Sequence, residues 1–375
     1  MNARNRQPLR IVHTEASCGW GGQEIRILEE ARGLIARGHD VSLLCPPEAR
    51  IFSEASRFGV PADALAIGRK RPAGVLALRR WVEQQRPDVI NTHSSTDSWL
   101  AGLACATLTH PPAIVRTRHI SAPIAVNAAS RWLYGQSARH VVTTGEALRQ
   151  TLIDKLKLPP ACVTSIPTGI DTERFTPGDK PAARRALGLA AAGHYLGIVA
   201  TLRSWKGHLY LLDAFAALDL PDWRLLMVGE GPMRDNIAAK IDELRLGDRV
   251  LLTGQRNDPE HWLRALDVFC LPSYANEGVP QAVIQAMLSG LPIVTTPVGA
   301  ILEAVTDGET ALIVKPRDVA TLEQALRRLI ADPALSNRLG EAARARAVER
   351  FSRERMLDGM ETIFHSAVRG SRDES

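Results

Sequence analysis

Short runs of β-branched and apolar residues alternate with longer amphipathic segments along almost the whole chain. The first unit comprises Leu9–Val12, a turn with three glycines, a helical segment Gln23–Arg37 ended by Gly38, and a second run at Val41–Leu44. This succession predicts a strand, a helix and a parallel strand, because parallel neighbours need a long crossover between them. The pattern therefore indicates an α/β fold in which helices cover parallel sheets.

The alternation runs in two series, separated by a loop-like segment between Asp171 and Gly193 that is rich in proline, glycine and alanine. Further strands are predicted at residues 89–92, 113–116, 140–143 and 163–166, and in the second series at residues 196–200, 224–228, 250–252, 268–271, 293–295 and 311–314. A chain of 375 residues is also too long for one comfortable core. We predict two doubly wound, Rossmann-like domains, residues 1–175 and 190–352, with a ligand cleft between them.

The composition of the chain indicates its class of binding partner and its cellular compartment. The net charge of +5 favours an anionic partner, but aromatic residues make up only 5% of the chain, which argues against a nucleic-acid reader and for anionic lipid or phosphorylated sugar. The five cysteines are scattered without a CxxC pair, as expected in a reducing cytoplasm. The basic amino terminus leads into a strand instead of an apolar h-region, and no run reaches the roughly 18 apolar residues of a membrane span.

The segment from Leu271 to Gly299 combines a strand, a loop and a helix. The loop presents Glu277 and Gly278, and a helix that begins near Pro280 offers backbone N–H groups and the positive end of its dipole, which can hold a diphosphate. Glu277 precedes this helix and Gln285 lies in its second turn, so one could reach a sugar hydroxyl and the other a ribose hydroxyl. An ordinary capped helix with an incidental acidic residue fits the same pattern equally well.

This segment resembles the signature EGFGxPxxEAMAxGxPVI of the family 4 retaining glycosyltransferases. The matching residues are Pro272, Ser273, Glu277, Gly278, Pro280, Ala286, Met287, Gly290 and Pro292. The resemblance implies the two-domain GT-B fold and transfer of a hexose or related sugar from a nucleotide diphosphate to an acceptor hydroxyl, with retention. It implies that Glu277 faces the donor sugar, within a substrate-binding loop that includes Gly278, Val279 and Pro280. Gln285 replaces the family's second glutamate, so weaker or retuned ribose binding is expected.

Two further motifs in the second domain resemble those of the same family. In ATLRSWKGH, Lys206 and Gly207 match the diphosphate clamp GRLxxxKG, while Thr201 occupies the arginine position and Arg203 follows two residues later. Lys206 and Arg203 are therefore candidate catalytic residues that neutralise the departing diphosphate, although a solvated basic loop would look similar. In VGEGP, the resemblance assigns Gly229 and Gly231 to the nucleotide pocket; alone, this motif could be any strand-to-helix turn.

The first domain contributes a glycine-rich loop and two histidines. GWGGQE, with Gly21 and Gly22, resembles the loop that family members place near the donor phosphate and the acceptor. His93 and His119 follow successive predicted strands, at positions where the family has histidines facing the cleft, His119 beside the donor sugar. A lone histidine is more often structural, but two at successive strand ends favour a site.

No metal or cofactor is predicted. The sequence contains no Asp-x-Asp pair and no His/Cys cluster with ligand spacing, so basic groups would replace a metal, and the family is generally metal-independent. The nucleotide-diphosphate sugar is a co-substrate. The resemblance also implies that the first domain binds the acceptor, that the second binds the nucleotide sugar, and that residues 353–375 form a helix that crosses back to the first domain.

The segment from Arg69 to Arg86 has six basic residues and one acidic residue, with apolar residues interleaved. It could lie on anionic lipid, or it could be a crossover helix with one solvated face. We therefore expect a cytoplasmic enzyme, peripheral at the inner face of the membrane, that acts on a lipopolysaccharide-core, surface-polysaccharide or lipid-linked glycan acceptor. A sugar-nucleotide 2-epimerase of the same fold and a non-catalytic nucleotide-sugar binder are the alternatives.

Overall fold

The computed structural model describes residues 7–119, 124–275 and 277–372 of the chain. These residues divide into two compact units, one formed by the chain up to Gly169 together with the chain from Arg353 onward, and one formed by Ile170–Ser352. The predicted interval 176–189 between the domains therefore belongs to the second unit. The predicted α/β class, with two parallel-sheet domains, is confirmed.

Within the described residues, the first unit contains a seven-stranded sheet in which every recorded strand pair is parallel. Its strands are β1 (Arg10–Thr14), β2 (Asp40–Cys45), β3 (Ala62–Ala64), β4 (Val89–Thr92), β5 (Ala113–Arg118), β6 (His140–Thr143) and β7 (Val163–Ser165). The strand order is β3-β2-β1-β4-β5-β6-β7, so the chain reverses direction across the sheet between β1 and β4. Ligands of such sheets bind beyond the carboxyl ends of the strands at this switch point.

Helices cover both faces of this sheet. They are α1 (Gly22–Ala36), α2 (Arg50–Ala55), α3 (Pro72–Gln85), α4 (Ser95–Cys105), α5 (Ala128–Gly135), α6 (Glu146–Leu156) and a helix from the end of the chain, Arg353–Arg372. Neighbouring residues in one strand join different apolar clusters: Ile11 packs in one and Val12 in the other. Both faces of the sheet are therefore buried, which explains why the strands have continuous apolar runs.

The helix Arg353–Arg372 packs against α1 in the first unit. Gly33 makes this close packing possible, because a Cβ there would lie 2.4 Å from Cδ1 of Leu357. Arg37, just beyond α1, forms ion pairs at 2.7 Å with Glu354 and with Asp358. The last helix thus belongs to the core of the first unit.

Within the described residues, the second unit contains a six-stranded parallel sheet with the order β10-β9-β8-β11-β12-β13. Its strands are β8 (His194–Val199), β9 (Trp223–Val228), β10 (Val250–Gly254), β11 (Val268–Leu271), β12 (Ile293–Thr295) and β13 (Leu312–Ile313). Its helices are α7 (Lys180–Ala186), α8 (His208–Leu218), α9 (Arg234–Glu243), α10 (Pro259–Ala265), α11 (Gln281–Leu288), α12 (Ile301–Ala304), α13 (Val319–Ala331) and α14 (Pro333–Phe351), and the carboxyl-terminal helix Arg353–Arg372 is α15. The switch point lies between β8 and β11.

Two elements differ from the prediction. The segment predicted to be a loop contains α7, because the carboxylate of Asp179 accepts a hydrogen bond from the Ala182 N–H and Pro181 occupies the first helical turn, where it needs no donor. The edge strand β3 was not predicted, since its sequence Ala-Asp-Ala lacks β-branched residues. Among the described residues, no helix is both long and apolar enough to cross a membrane.

Candidate functional site

In the second unit, a buried ion pair lies at the switch point of the sheet. Nζ of Lys206, in the loop after β8, lies 2.7 and 2.9 Å from the two carboxylate oxygens of Glu277, in the loop after β11. The Ser273 hydroxyl donates a third hydrogen bond to this carboxylate, at 2.6 Å. Glu277 is only 4% exposed. Two residues 71 positions apart in sequence, both predicted as catalytic, are thus brought into direct contact.

The backbone around this pair is held by two glycines with positive φ. At Gly207 (φ +80°), a Cβ would lie 2.1 Å from the Pro272 carbonyl oxygen. At Gly299 (φ +61°), a Cβ would lie 2.0 Å from the Glu277 carbonyl oxygen. Only glycine allows both the backbone conformation and the close approach at these positions. Gly207 therefore allows the Lys206 loop to approach the segment after β11, and Gly299 allows the loop after β12 to approach Glu277.

Helix α11 begins directly after the Glu277 loop, as predicted. Pro280, at its amino-terminal end, makes no side-chain cap, and the positive end of the helix dipole directly follows the Glu277 loop. Val279 is buried in the core and Gly278 is half-buried, so both can contact a ligand mainly through their backbone. Gln285 is half-buried in the second turn, and its carbonyl accepts from Ser289. Asn276, within the predicted motif, lies outside the described residues.

Arg203 lies one short turn before Lys206, whose backbone N–H donates to the Arg203 carbonyl at 3.1 Å. Its guanidinium lies over the ring of Trp205, 5.7 Å from the centroid, and the residue is exposed. Thr201, at the family's arginine position, is also exposed. Within the described residues, the cation in contact with Glu277 is Lys206. The role of Arg203 in holding a diphosphate stays a prediction.

Gly229 and Gly231 have a structural reason to be glycine. Their φ values are +149° and +159°, and Cβ atoms there would lie 1.9 Å from the Ala200 carbonyl oxygen and 2.7 Å from the Leu202 carbonyl oxygen. The Leu202 N–H also donates to the Glu230 carbonyl at 3.0 Å. The turn after β9 thus packs directly against the chain between β8 and Lys206, at the edge of the sheet where the predicted nucleotide pocket lies.

In the first unit, three histidines form a row at the carboxyl ends of β1, β4 and β5. His13 Nδ1 lies 2.9 Å from Nε2 of His93, whose Nδ1 lies 2.9 Å from Nε2 of His119. His13 and His93 are buried and His119 is half-buried. Burial lowers the pKa of His13 to about 3 and holds the pKa values of His93 and His119 well below the ordinary value of 6.5. The three rings are therefore neutral near pH 7.

The two predicted histidines are thus brought together, and His13 was missed. It follows a predicted strand without any motif, and its partner His93 is 80 residues away, so local sequence gives no signal for the contact. Ile120 and Ser121, in the predicted RTRHIS segment, lie outside the described residues. The backbone N–H of His93 donates to Asp97 Oδ2 at 2.8 Å, which attaches this histidine to the capped start of α4.

The glycine-rich loop after β1 leads into α1, as predicted. Gly21 has extended backbone, and the nearest atom to a Cβ there would be Oε2 of Glu24 at 3.8 Å, so packing does not require glycine. Gly21 is the residue before α1 and makes no side-chain cap for this helix. Nearby, burial and the carboxylate of Asp97 raise the pKa of Glu15 to about 8, so Glu15 is mostly protonated at pH 7.

One cluster with metal-ligand chemistry was not predicted. His39, Glu361 and His365 place one potential ligand atom each within 4.8 Å of the others. The Leu9 N–H, however, donates to His39 Nδ1 at 3.1 Å, so the neutral ring carries its proton on Nε2, which faces Glu361 at 3.2 Å. That nitrogen then has no lone pair for a metal. The contact is better explained as a hydrogen bond that joins α15 to the first sheet.

Models of known protein families match most of the chain. The family model described as Glycosyltransferase Family 4 matches residues 20–174, and the model described as Glycosyl transferases group 1 matches residues 179–346. The group 1 match includes Lys206, Glu277 and α11, and the family 4 match includes His93, His119 and the glycine-rich loop after β1.

Two relatives and one solved structure span nearly the whole chain. A D-inositol 3-phosphate glycosyltransferase of Stackebrandtia nassauensis is 30% identical over 390 residues, 93% of this chain and 87% of the relative. An Escherichia coli UDP-Gal:alpha-D-GlcNAc-diphosphoundecaprenol alpha-1,3-galactosyltransferase is 25% identical over 96% of this chain and 97% of its own length. The crystal structure of Anabaena HepE in complex with UDP has a TM-score of 0.82 at 21% identity, covering 96% of this chain and 100% of that one.

Proposed function

The chain belongs to glycosyltransferase family 4 and has the GT-B fold, and we propose that it is a retaining enzyme that moves a sugar from a nucleotide diphosphate to a glycan or lipid-linked acceptor. The transferred group in this proposal is a hexose or a related sugar. It leaves the diphosphate and joins an acceptor hydroxyl with its anomeric configuration kept.

The observation that carries this proposal is the contact between Lys206 and Glu277 at the switch point of the second sheet. A lysine ammonium can neutralise the charge that grows on the diphosphate as it departs, and the carboxylate can accept hydrogen bonds from hydroxyls of the sugar. The positive end of the α11 dipole, at Pro280 two residues beyond Gly278, supplies the remaining positive potential. This combination supports a donor site in the second unit.

The first unit supports the role of acceptor binding. Its switch point carries the row of histidines and the glycine-rich loop, which offer hydrogen-bonding groups without a net charge of their own. The relative from E. coli acts on a diphosphoundecaprenol acceptor, and the Anabaena structure holds UDP. These two proteins make a lipid-linked acceptor and a uridine-diphosphate sugar donor the first candidates for this chain.

We propose a peripheral location at the cytoplasmic face of the membrane, with the segment from Arg69 to Arg86 in contact with anionic lipid. The apolar residues Leu78 and Val82 of α3 point into the core, so they are not available to lipid. Leu76, by contrast, is 53% exposed, and basic residues surround it in sequence. The exposed basic residues are Arg69, Lys70, Arg71, Arg80 and Arg86. An exposed leucine among basic side chains suits an interfacial contact.

The reaction in this proposal needs no metal, because Lys206 and the start of α11 supply the positive charge. The experiment that tests the function is a donor screen by thermal shift with UDP, GDP and ADP sugars, followed by transfer assays with lipid-linked glycans. We expect one nucleotide class to stabilise the protein and its sugar to appear on an acceptor with the anomeric configuration retained. An isomerised nucleotide sugar formed without acceptor would indicate an epimerase, and binding without turnover on any acceptor would indicate a binder.

A further inference from the structure

The row of histidines in the first unit joins three imidazole rings through two ring-to-ring hydrogen bonds. The ring centroids of His13 and His93 lie 5.2 Å apart, and those of His93 and His119 lie 5.1 Å apart. Each nitrogen-to-nitrogen distance is 2.9 Å, which requires one proton between the two nitrogens of each link. Since a neutral imidazole has one N–H and one lone pair, the tautomer of one ring fixes the tautomers of the other two.

Only two neutral arrangements satisfy both links. In the first, every ring carries its proton on Nδ1, so that His13 donates to His93 and His93 donates to His119. In the second, every ring carries its proton on Nε2, and the direction of donation is reversed. In the first arrangement the Nε2 of His13 is unprotonated and carries a lone pair, whereas in the second it carries a proton.

The buried end of the row decides between these arrangements. His13 is fully buried, and its Nε2 has no hydrogen-bond partner among the described residues. A buried N–H without an acceptor is rarer than a buried acceptor without a donor. The guanidinium of Arg26, also buried, acts electrostatically on His13, and a nearby cation favours a lone pair over an N–H. Both effects select the arrangement with the protons on Nδ1.

We propose that His13 and His93 are positioning residues that hold His119 as a neutral imidazole with its proton on Nδ1. His119 then presents an N–H, not a lone pair, at the outer end of the row. It can donate a hydrogen bond to a hydroxyl or phosphate oxygen of a ligand, but it cannot accept a proton from one. That this ligand is a nucleotide sugar or its acceptor rests on the proposed function; the tautomer does not.

The surroundings keep the row uncharged. Burial is the main cause of the lowered pKa values of all three rings, and the charge of Arg26 on α1 adds to it in keeping the rings neutral. Of the nearby acids, Glu30 interacts with Arg26, and Asp97 accepts the backbone N–H of His93 and not its ring. Glu15 accepts from the Ser17 N–H. None of these carboxylates contacts a ring nitrogen of the row.

Nitrogen NMR of the ¹⁵N-histidine-labelled full chain tests this directly, without donor or acceptor. Ring nitrogens with and without a proton differ in chemical shift, and N–H···N hydrogen bonds transmit a scalar coupling between the two nitrogens. We expect all three residues to show the proton on Nδ1, the minor tautomer of free histidine, with two such couplings that persist from pH 8 to pH 5.5. A proton on Nε2 of His119, or titration of His119 within this range, would overturn the proposal.

Two variants of similar size separate positioning from packing. The amide of His13→Asn can still donate to His93 Nε2, so the coupling between His93 and His119 should persist. His13→Leu cannot donate, so the direction of the bond between His93 and His119 is no longer fixed, and we expect the ¹⁵N shifts of His119 to show a mixture of the two tautomers. His140→Gln, which changes a histidine of the same unit hydrogen-bonded to Thr164, should leave both couplings and the Nδ1 tautomer of His119 intact. A proton that stays wholly on Nδ1 of His119 in the leucine variant would show that His13 does not position the row.

Activity gives an independent readout. If the proposed function holds, kcat/KM should be about fivefold lower for the leucine variant than for the asparagine variant, the effect of losing one hydrogen bond. Equal values would contradict positioning by His13. If the expected couplings are present but no nucleotide sugar is turned over, only the proposed function fails.

Discussion

Replacing Glu277 by glutamine removes one negative charge and keeps the shape of the side chain. The carboxylate now accepts from Lys206 Nζ at 2.7 and 2.9 Å and from the Ser273 hydroxyl at 2.6 Å. The amide of Glu277→Gln keeps one oxygen, which can still accept from Ser273. The change therefore isolates the charge of the carboxylate from its packing.

The size of the effect follows from hydrogen bonds to a charged group. Such a bond contributes about 1.5–3 kcal/mol. If the carboxylate of Glu277 binds a hydroxyl of the donor sugar in the transition state, its loss lowers kcat/KM roughly 10- to 150-fold, since 1.36 kcal/mol corresponds to tenfold. Affinity for the free nucleoside diphosphate should change by less than about twofold, because that ligand lacks the sugar that Glu277 is proposed to hold.

The assay pairs the rate of nucleoside diphosphate release in the presence of acceptor with calorimetric titration of the nucleoside diphosphate. Glu323→Gln is the matched control, because it also breaks an ion pair of the second unit, with Arg327 on α13, outside the site. We expect the control to keep normal turnover. Normal turnover of Glu277→Gln, or a loss of nucleotide affinity as large as the loss of rate, would refute the assignment of Glu277 to the donor sugar.

Four further predictions concern Lys206, metal ions, pH and the membrane. Lys206→Ala should lower kcat more than donor affinity, because the diphosphate gains charge as it departs, and equal losses would contradict this. Chelation with EDTA should leave the rate unchanged; dependence on an added divalent cation would reveal an unrecognised ligand set. His13→Asn should remove about 1.0 kcal/mol of the pH dependence of the free energy of unfolding between pH 6.5 and 5.5, measured with urea, because the unfolded wild-type chain binds a proton at His13 that the folded chain excludes; equal pH profiles of variant and wild type would contradict the buried neutral ring. A variant with five basic residues changed to glutamine should stay folded but no longer sediment with vesicles of anionic lipid, because each basic residue contributes about 1 kcal/mol of attraction near such a surface. Equal sedimentation of variant and wild type would show that this segment is only the solvated face of a helix. The five residues are Arg69, Lys70, Arg71, Arg79 and Arg80.

Elements with strong local periodicity could be predicted from the sequence. The strands at residues 268–271 and 293–295 have the predicted bounds, because fully buried parallel strands are continuous apolar runs. Helix α7 could not be predicted as easily, because a segment rich in proline and glycine is typical of a loop. The Asp179 cap instead places Pro181 in the first turn of a helix, where proline is tolerated. Local sequence thus defines the core strands better than the ends and short connections.

The residues of the candidate site also comprise some that local sequence predicts and some that it does not. The Glu277 loop and α11 were predicted because a contiguous motif contains them, and Lys206 because a second motif contains it; the direct contact between Lys206 and Glu277 was not predicted. His13 lies in no motif, and its contact with His93 depends on the strand order, in which β4 pairs with β1 and not with β3. His39 and Glu361 are 322 residues apart, and only the return of α15 to the first unit joins them. Such contacts arise from topology, which local periodicity does not determine.

The measurement that tests the central claim most directly is a crystal structure of the full chain with an intact nucleotide-diphosphate sugar. We predict that Nζ of Lys206 lies within hydrogen-bond distance of a diphosphate oxygen, that the diphosphate meets the start of α11, and that the Glu277 carboxylate accepts from a hydroxyl of the sugar. A nucleotide sugar held by other residues, with the contact between Lys206 and Glu277 unchanged, would contradict the account.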